Sequence, residues 1–186
     1  TPHLPAYASG GWADAAGIGD QLQSYIDEGG FRALKMRVGS MDGRPQVSAA
    51  RVQAARKAIG PEVELMVDAH GTYTVAEAKR FAHMVADCDL AWFEEPVSAD
   101  DRAGLAEFRA FSHIPVAIGE SECSRFDFAA LAAGRRADIF QPDPAFCGGI
   151  TEAMRIATIA SAFNLRLAPH LWAGASCFFA GLHVLA

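Results

Sequence analysis

Residues 64–96 read ELMVDAH, GTYTVAEAKRFAHMVADCD and LAWFEEP in succession. The apolar run Glu64–Val67 is too short for a helix and ends in Asp68-Ala69-His70. Thr74-Val75-Ala76-Glu77 is a capping box, in which the Thr hydroxyl and the Glu carboxylate satisfy free N–H groups at a helix start. A second apolar run, Leu90–Phe93, then ends in Glu94-Glu95-Pro96. Strand, helix and strand with short connections imply parallel strands and a right-handed crossover.

The same unit recurs in both directions. Further short apolar runs at Leu4–Ala8, Ala33–Val38, Pro115–Ile118, Asp138–Gln141 and Leu165–Ala168 are read as strands. Ala-rich amphipathic stretches separate them, and Gly149–Phe163 is the clearest. Pro45 suits a first helical turn, and Gly29-Gly30 and Gly60 sit where helices should stop. Seven alternations fit either an open doubly wound sheet or a (β/α) barrel. No G-x-G-x-x-G follows a strand and no phosphate-binding loop motif occurs, which weakens the open nucleotide-binding sheet. The expected fold is therefore α/β: a TIM-type (β/α) barrel domain over residues 1–186, with seven βα units and the last strand missing. Two sheet edges would then be exposed, an aggregation risk.

Bulk properties narrow the function. The 186 residues carry a net charge of −6, and no basic run or basic-aromatic stripe suggests a nucleic-acid partner. No apolar stretch approaches the roughly 18 residues of a membrane span. Thr1-Pro2-His3 shows no signal-peptide pattern, and without an initiator Met the chain is read as a processed or partial product. Cys88, Cys123, Cys147 and Cys177 are widely spaced and are read as small buried hydrophobes in a cytoplasmic setting.

Titratable residues cluster just after the strands: Lys35 and Arg37, Asp68 and His70, Glu94 and Glu95, Glu120, Asp143, and His170. In a barrel these strand ends meet on one face, where active sites form. Asp68, Glu94 and Glu120 fall on three successive strands, about 4.8 Å apart when paired. Three anionic groups at one level repel unless a cation lies between them, and oxygen ligands suit Mg²⁺. Separate surface or capping carboxylates are the plainer alternative. His183 is expected to pack within the last helix, and His3, His83 and His113 to be structural or solvated. Trp172 could line a pocket or pack on its loop, and Tyr7 and Ser9 could touch a substrate.

Together, Leu34-Lys35-Met36-Arg37, Val67-Asp68-Ala69-His70, Phe93-Glu94-Glu95-Pro96, Ile118-Gly119-Glu120, Gln141-Pro142-Asp143 and Ala168-Pro169-His170 form an ordered series. The series resembles the barrel domain of the mandelate racemase subgroup of the enolase superfamily, over nearly the whole chain. The resemblance implies that Asp68, Glu94 and Glu120 bind Mg²⁺, while Glu95 packs behind them. It implies that His170, oriented by Asp143, removes a proton alpha to a carboxylate, and that Lys35 contacts the substrate carboxylate. It also implies an N-terminal capping domain, which this chain lacks, and a homo-oligomeric full-length protein. The chain alone is then expected to be inactive.

Arg37 departs from the subgroup's second Lys. Arginine holds its proton too tightly for easy base work. A one-base route through His170 is therefore favoured over racemisation, and points to dehydration of an acid sugar to a 2-keto-3-deoxy acid. Arg37 could bind a distal substrate group or simply pair with a site carboxylate. On a strand, His70 would share the face of Asp68 and could protonate the leaving hydroxyl. A racemase or epimerase of a 2-hydroxy acid, and a non-catalytic metal-binding fragment, are the alternatives.

Overall fold

The structure, a computed structural model, describes residues 3–186. Thr1 and Pro2, part of the N-terminal reading, lie outside the described residues. The strands are β1 (Ala8–Gly10), β2 (Ala33–Arg37), β3 (Glu64–Asp68), β4 (Leu90–Glu94), β5 (Val116–Ile118), β6 (Ile139–Phe140) and β7 (Arg166–Leu167). The helices are α1 (Ile18–Gly29), α2 (Pro45–Ile59), α3 (Val75–Met84), α4 (Arg102–Phe111), α5 (Arg125–Ala133), α6 (Ile150–Ala162) and α7 (Ala175–Leu185). The sheet runs β1 to β7 in sequence order with every pair parallel. It curls as part of a barrel but does not close, since β7 does not pair with β1 among the described residues.

The helices pack on the outer face of the curled sheet, as expected of parallel strands joined by helices. Leu34, Met36, Leu65, Val67, Phe93, Val116, Ile118 and Phe140 join the helices in the main core. Alternate residues Met66, Trp92, Ala117 and Ile139 form a smaller cluster inside the curl, with Tyr7 against it. Asp68, Glu94 and Gln141, two positions beyond Met66, Trp92 and Ile139, therefore stand toward the mouth of the curl.

The expected punctuation is present. Thr74 accepts from the Glu77 N–H, and the Glu77 carboxylate accepts from the Thr74 N–H. Pro45 opens α2, and Gly30 ends α1 in a left-handed conformation. The first strand differs from expectation: it is Ala8–Gly10, not Leu4–Ala8. Ladder pairing begins only at Ala8, opposite Leu34, and Pro5 has no N–H to contribute. The strands after β4 are shorter than their apolar runs, although Asp138, Gln141 and Ala168 still donate backbone hydrogen bonds to the neighbouring strand. Cys88, Cys147 and Cys177 are buried as expected, whereas Cys123 is exposed. His183 is also exposed rather than packed.

Candidate active site

Arg37, Asp68 and Glu94 are brought level by the ladder, with Arg37 opposite Asp68 and Asp68 opposite Glu94. Glu120 reaches the same place from beyond its strand. Gly119 makes the turn with φ 150, and a Cβ there would meet the Gln141 backbone at 2.8 Å. Asp68, Glu94 and Glu120 each offer an oxygen, all within 4.8 Å of one another. Two of the three are buried, and the set is wholly hard oxygen, which fits Mg²⁺ rather than zinc. Burial, then the neighbouring Glu94 charge, pushes Asp68 up to about 6. That is the like-charge crowding a divalent cation relieves.

Glu94 is fully buried. Its Oε1 accepts from the Lys35 ammonium, and its Oε2 accepts from Gln141 Nε2 at 2.6 Å and Trp92 Nε1 at 3.2 Å. Burial alone would raise its pKa, but Lys35, Gln141 and Trp92 outweigh that and hold it below the usual range. Lys35 lies 4.0 Å from Asp68 Oδ2 as well. Burial disfavours its charge, yet Glu94, Tyr7 and Asp68 more than compensate and raise its pKa above the ordinary value. Arg37 Nη1 sits 3.2 Å from Asp68 Oδ2 without hydrogen-bond alignment, and its guanidinium lies over Trp12.

The Asp143–His170 pair is formed. His170 Nδ1 lies 2.8 Å from Asp143 Oδ2, and Asp143 Oδ1 accepts from the Ala145 N–H at 2.7 Å and from Cys177 Sγ at 3.2 Å. The other ring nitrogen of His170, Nε2, lies 3.5 Å from Glu120 Oε2. His70 reaches the site, but not as a strand residue sharing the Asp68 face. Its backbone is left-handed, with φ 49, and its N–H donates to Asp68 Oδ1. This turn sends His70 Nδ1 to 2.8 Å from Glu120 Oε1 and 3.5 Å from Glu95 Oε2. Glu95 is also left-handed, with φ 40, and accepts from Ser121 Oγ at 2.9 Å; its carboxylate makes a second close group with His70 and Glu120, their ligand atoms within 4.8 Å of one another.

The structure thus gathers Lys35, Arg37, Asp68, His70, Glu94, Glu120, Asp143 and His170 at one mouth. Trp172 stands apart, 76% exposed, and Ser9 is exposed. Tyr7 lies edge-on to Trp92, with the Lys35 ammonium 5.5 Å from its ring centre. Sequence reasoning gave no role to Gln141, Trp92 or Cys177. Their signal was faint: Gln141 and Trp92 each lie two residues from a site carboxylate along one strand direction, and Cys177 carries none.

Residues 17–186 match the family described as enolase C-terminal domain-like. The chain belongs to the enolase superfamily. Its relatives and structural neighbours there are mandelate racemase-like. It is 41% identical over 145 residues to a D-galactarolactone cycloisomerase of Agrobacterium fabrum, covering 77% of this chain and 37% of the relative. It is 36% identical over 165 residues to a D-galactonate dehydratase of Ralstonia pickettii, covering 86% and 43%. A Bradyrhizobium enolase solved with magnesium and mandelic acid superposes with a TM-score of 0.85 at 35% identity, covering 94% of this chain and 48% of that one. This superfamily chain therefore spans less than half the length of these relatives.

Proposed function

We propose that this chain serves a Mg²⁺-dependent lyase that removes the proton alpha to the carboxylate of an acid sugar and expels the beta-hydroxyl. The product is a 2-keto-3-deoxy acid. The observation that carries this reading is the convergence of two imidazoles on one carboxylate, His70 at 2.8 Å and His170 at 3.5 Å from Glu120. One imidazole can take a proton while the other gives one.

Asp68, Glu94 and Glu120 would hold the Mg²⁺. Bound there, it would supply positive charge beside the carboxylate oxygens where negative charge collects. Lys35 would bind the same carboxylate and add to that stabilisation. His170 Nε2 takes the alpha proton, because Asp143 fixes the ring through Nδ1 and stabilises the imidazolium. The electron pair moves into the carboxylate as an ene-diolate. Its collapse breaks the beta C–O bond, and the leaving hydroxyl takes a proton from His70. The resulting enol then tautomerises to the 2-keto acid. Arg37 is paired to Asp68, and arginine is a poor general base, so a single base serves, which speaks against racemisation.

Incubated with Mg²⁺ and a panel of acid sugars in D2O, the full-length protein is expected to release water and form 2-keto-3-deoxy acids. His170→Asn is expected to lower kcat by about 10²–10⁴ while leaving Mn²⁺ binding intact. Full activity in that variant removes the proposed base. Cycloisomerisation is the second reading, favoured by the 41% identical relative. It would use the same proton removal, but its product keeps the mass of the substrate, whereas dehydration loses one water. Alpha-proton exchange with neither product would indicate a racemase.

The proposal extends to the protein's setting. A capping domain and an eighth strand, supplied outside these residues, would complete the barrel and select the substrate. A homo-oligomer is part of the same reading. A cytoplasmic location agrees with four free thiols.

A further inference from the structure

The two oxygens of Glu94 are not equivalent. A carboxylate oxygen has two lone pairs. On Oε2 both are taken, by Gln141 Nε2 at 2.6 Å and Trp92 Nε1 at 3.2 Å. Neither donor is free to leave. Gln141 is 1% exposed, and its N–H bonds Ile118 O at 2.9 Å. Trp92 is wedged in the inner cluster against Tyr7. A cation that ligates Glu94 must therefore use Oε1, the oxygen that the Lys35 ammonium holds. Lys35 also stands 4.0 Å from Asp68 Oδ2, so it lies within reach of two of the three ligands.

We propose that Lys35 is a tethered counter-ion which competes with the divalent cation for Glu94 Oε1. Cation binding then turns its ammonium out to the mouth, where it meets the substrate carboxylate. The inference rests on the metal-ligand reading above and deepens it. One buried cation would keep Asp68 and Glu94 from repelling each other, and its release would assemble the anion site only when the metal is in place. Substrate binding and metal binding would thus be coupled through one side chain, in either direction. Gln141 and Trp92 are positioning residues here, since they force both cations onto the same oxygen.

Two measurements on the full-length protein test this. In the first, Mn²⁺ affinity is measured by titration after chelator treatment. Lys35→Gln, which removes the charge but keeps the chain's length, is expected to bind Mn²⁺ at least about tenfold more tightly, because a buried carboxylate stripped of its partner seeks another cation. Lys35→Arg keeps the charge and should stay close to the parent. Equal or weaker binding by Lys35→Gln overturns the proposal. The second measurement needs no variant, so it stands even if Lys35→Gln does not fold. Acetylation of Lys35 by acetic anhydride, followed by mass spectrometry, should accelerate at least about fivefold with saturating Mg²⁺, because the ammonium leaves a buried ion pair for the solvent-facing mouth. An unchanged or slower rate means that Lys35 is not displaced, and overturns the proposal. A parent protein that binds no Mn²⁺ sinks the metal-ligand reading itself, and this inference with it; a parent that binds Mn²⁺ with Lys35 undisturbed sinks only the competition.

Discussion

Glu95 shows how one residue's backbone decides its chemistry. It adjoins Glu94, yet its left-handed turn carries it to Ser121 and beside His70 and Glu120. Burial, then the charge of Glu120, pushes its carboxyl up to about 8. An unfolded Glu titrates near about 4.3. Between those pH values the folded chain binds a proton that the unfolded chain has lost. Stability contributed at this position therefore falls as pH rises through the window, and is fully kept only below it. Glu95→Gln abolishes the dependence. In chelator, its stability relative to the parent should grow with pH by up to about 1.4 kcal/mol per unit. Urea denaturation at intervals from pH 5 to pH 8 would read this, and parallel curves for the two proteins would count against it.

At the scale of elements, α2 does more than cover the sheet. Arg51 is 2% exposed. Its guanidinium donates to Gly11 O and Ala13 O, just after β1, and to Arg37 O at the end of β2. It also pairs with the buried Asp42 carboxylate at 3.0 Å. One helix residue thus ties down both loops flanking Arg37. The sequence contained a usable hint, since Ser48, Arg51, Val52, Ala55 and Ile59 recur at helical spacing on the buried face. An arginine in that row is out of place unless it bonds inward. Arg51→Met is expected to destabilise the protein by about 3–5 kcal/mol, mainly by leaving the buried Asp42 carboxylate without its counter-charge and with only the Ser48 hydroxyl bonded to it. A chemical-denaturation midpoint that barely moves would contradict this role.

Over the whole molecule, the site is not equally supported. Asp68 and Glu94 end strands that are paired on both sides. His170 instead follows β7, an edge strand of two residues, and is steadied by Asp143 and α7 through Cys177. The edges are short, three residues in β1 and two in β7, which blunts edge-to-edge pairing. His170, more than Asp68 and Glu94, therefore lacks support from neighbouring strands. The 186-residue chain by itself is expected to bind Mn²⁺ but to turn over at least about a hundredfold more slowly than the full-length protein, because misplacing a base by about 1 Å costs that much. Steady-state assays of both forms check this, and equal turnover would show that the open sheet suffices.

The sequence alone determined the alternation of strands and helices and the titratable residues at the strand ends. Those features follow from short-range rules: side chains alternate along a strand, helices need caps, and the residue after a strand stands at the mouth. Only the tertiary structure decided that Glu95 turns to Ser121 and to His70. It also decided that His70 meets Glu120, that Arg37 pairs with Asp68, and that Gln141 and Trp92 occupy one oxygen of Glu94. Those choices depend on left-handed turns after β3 and β4 and on sheet register, which brings Gln141 to a residue 47 positions away. Local pattern places a side chain on a face; it does not choose the partner that the folded chain sets opposite it.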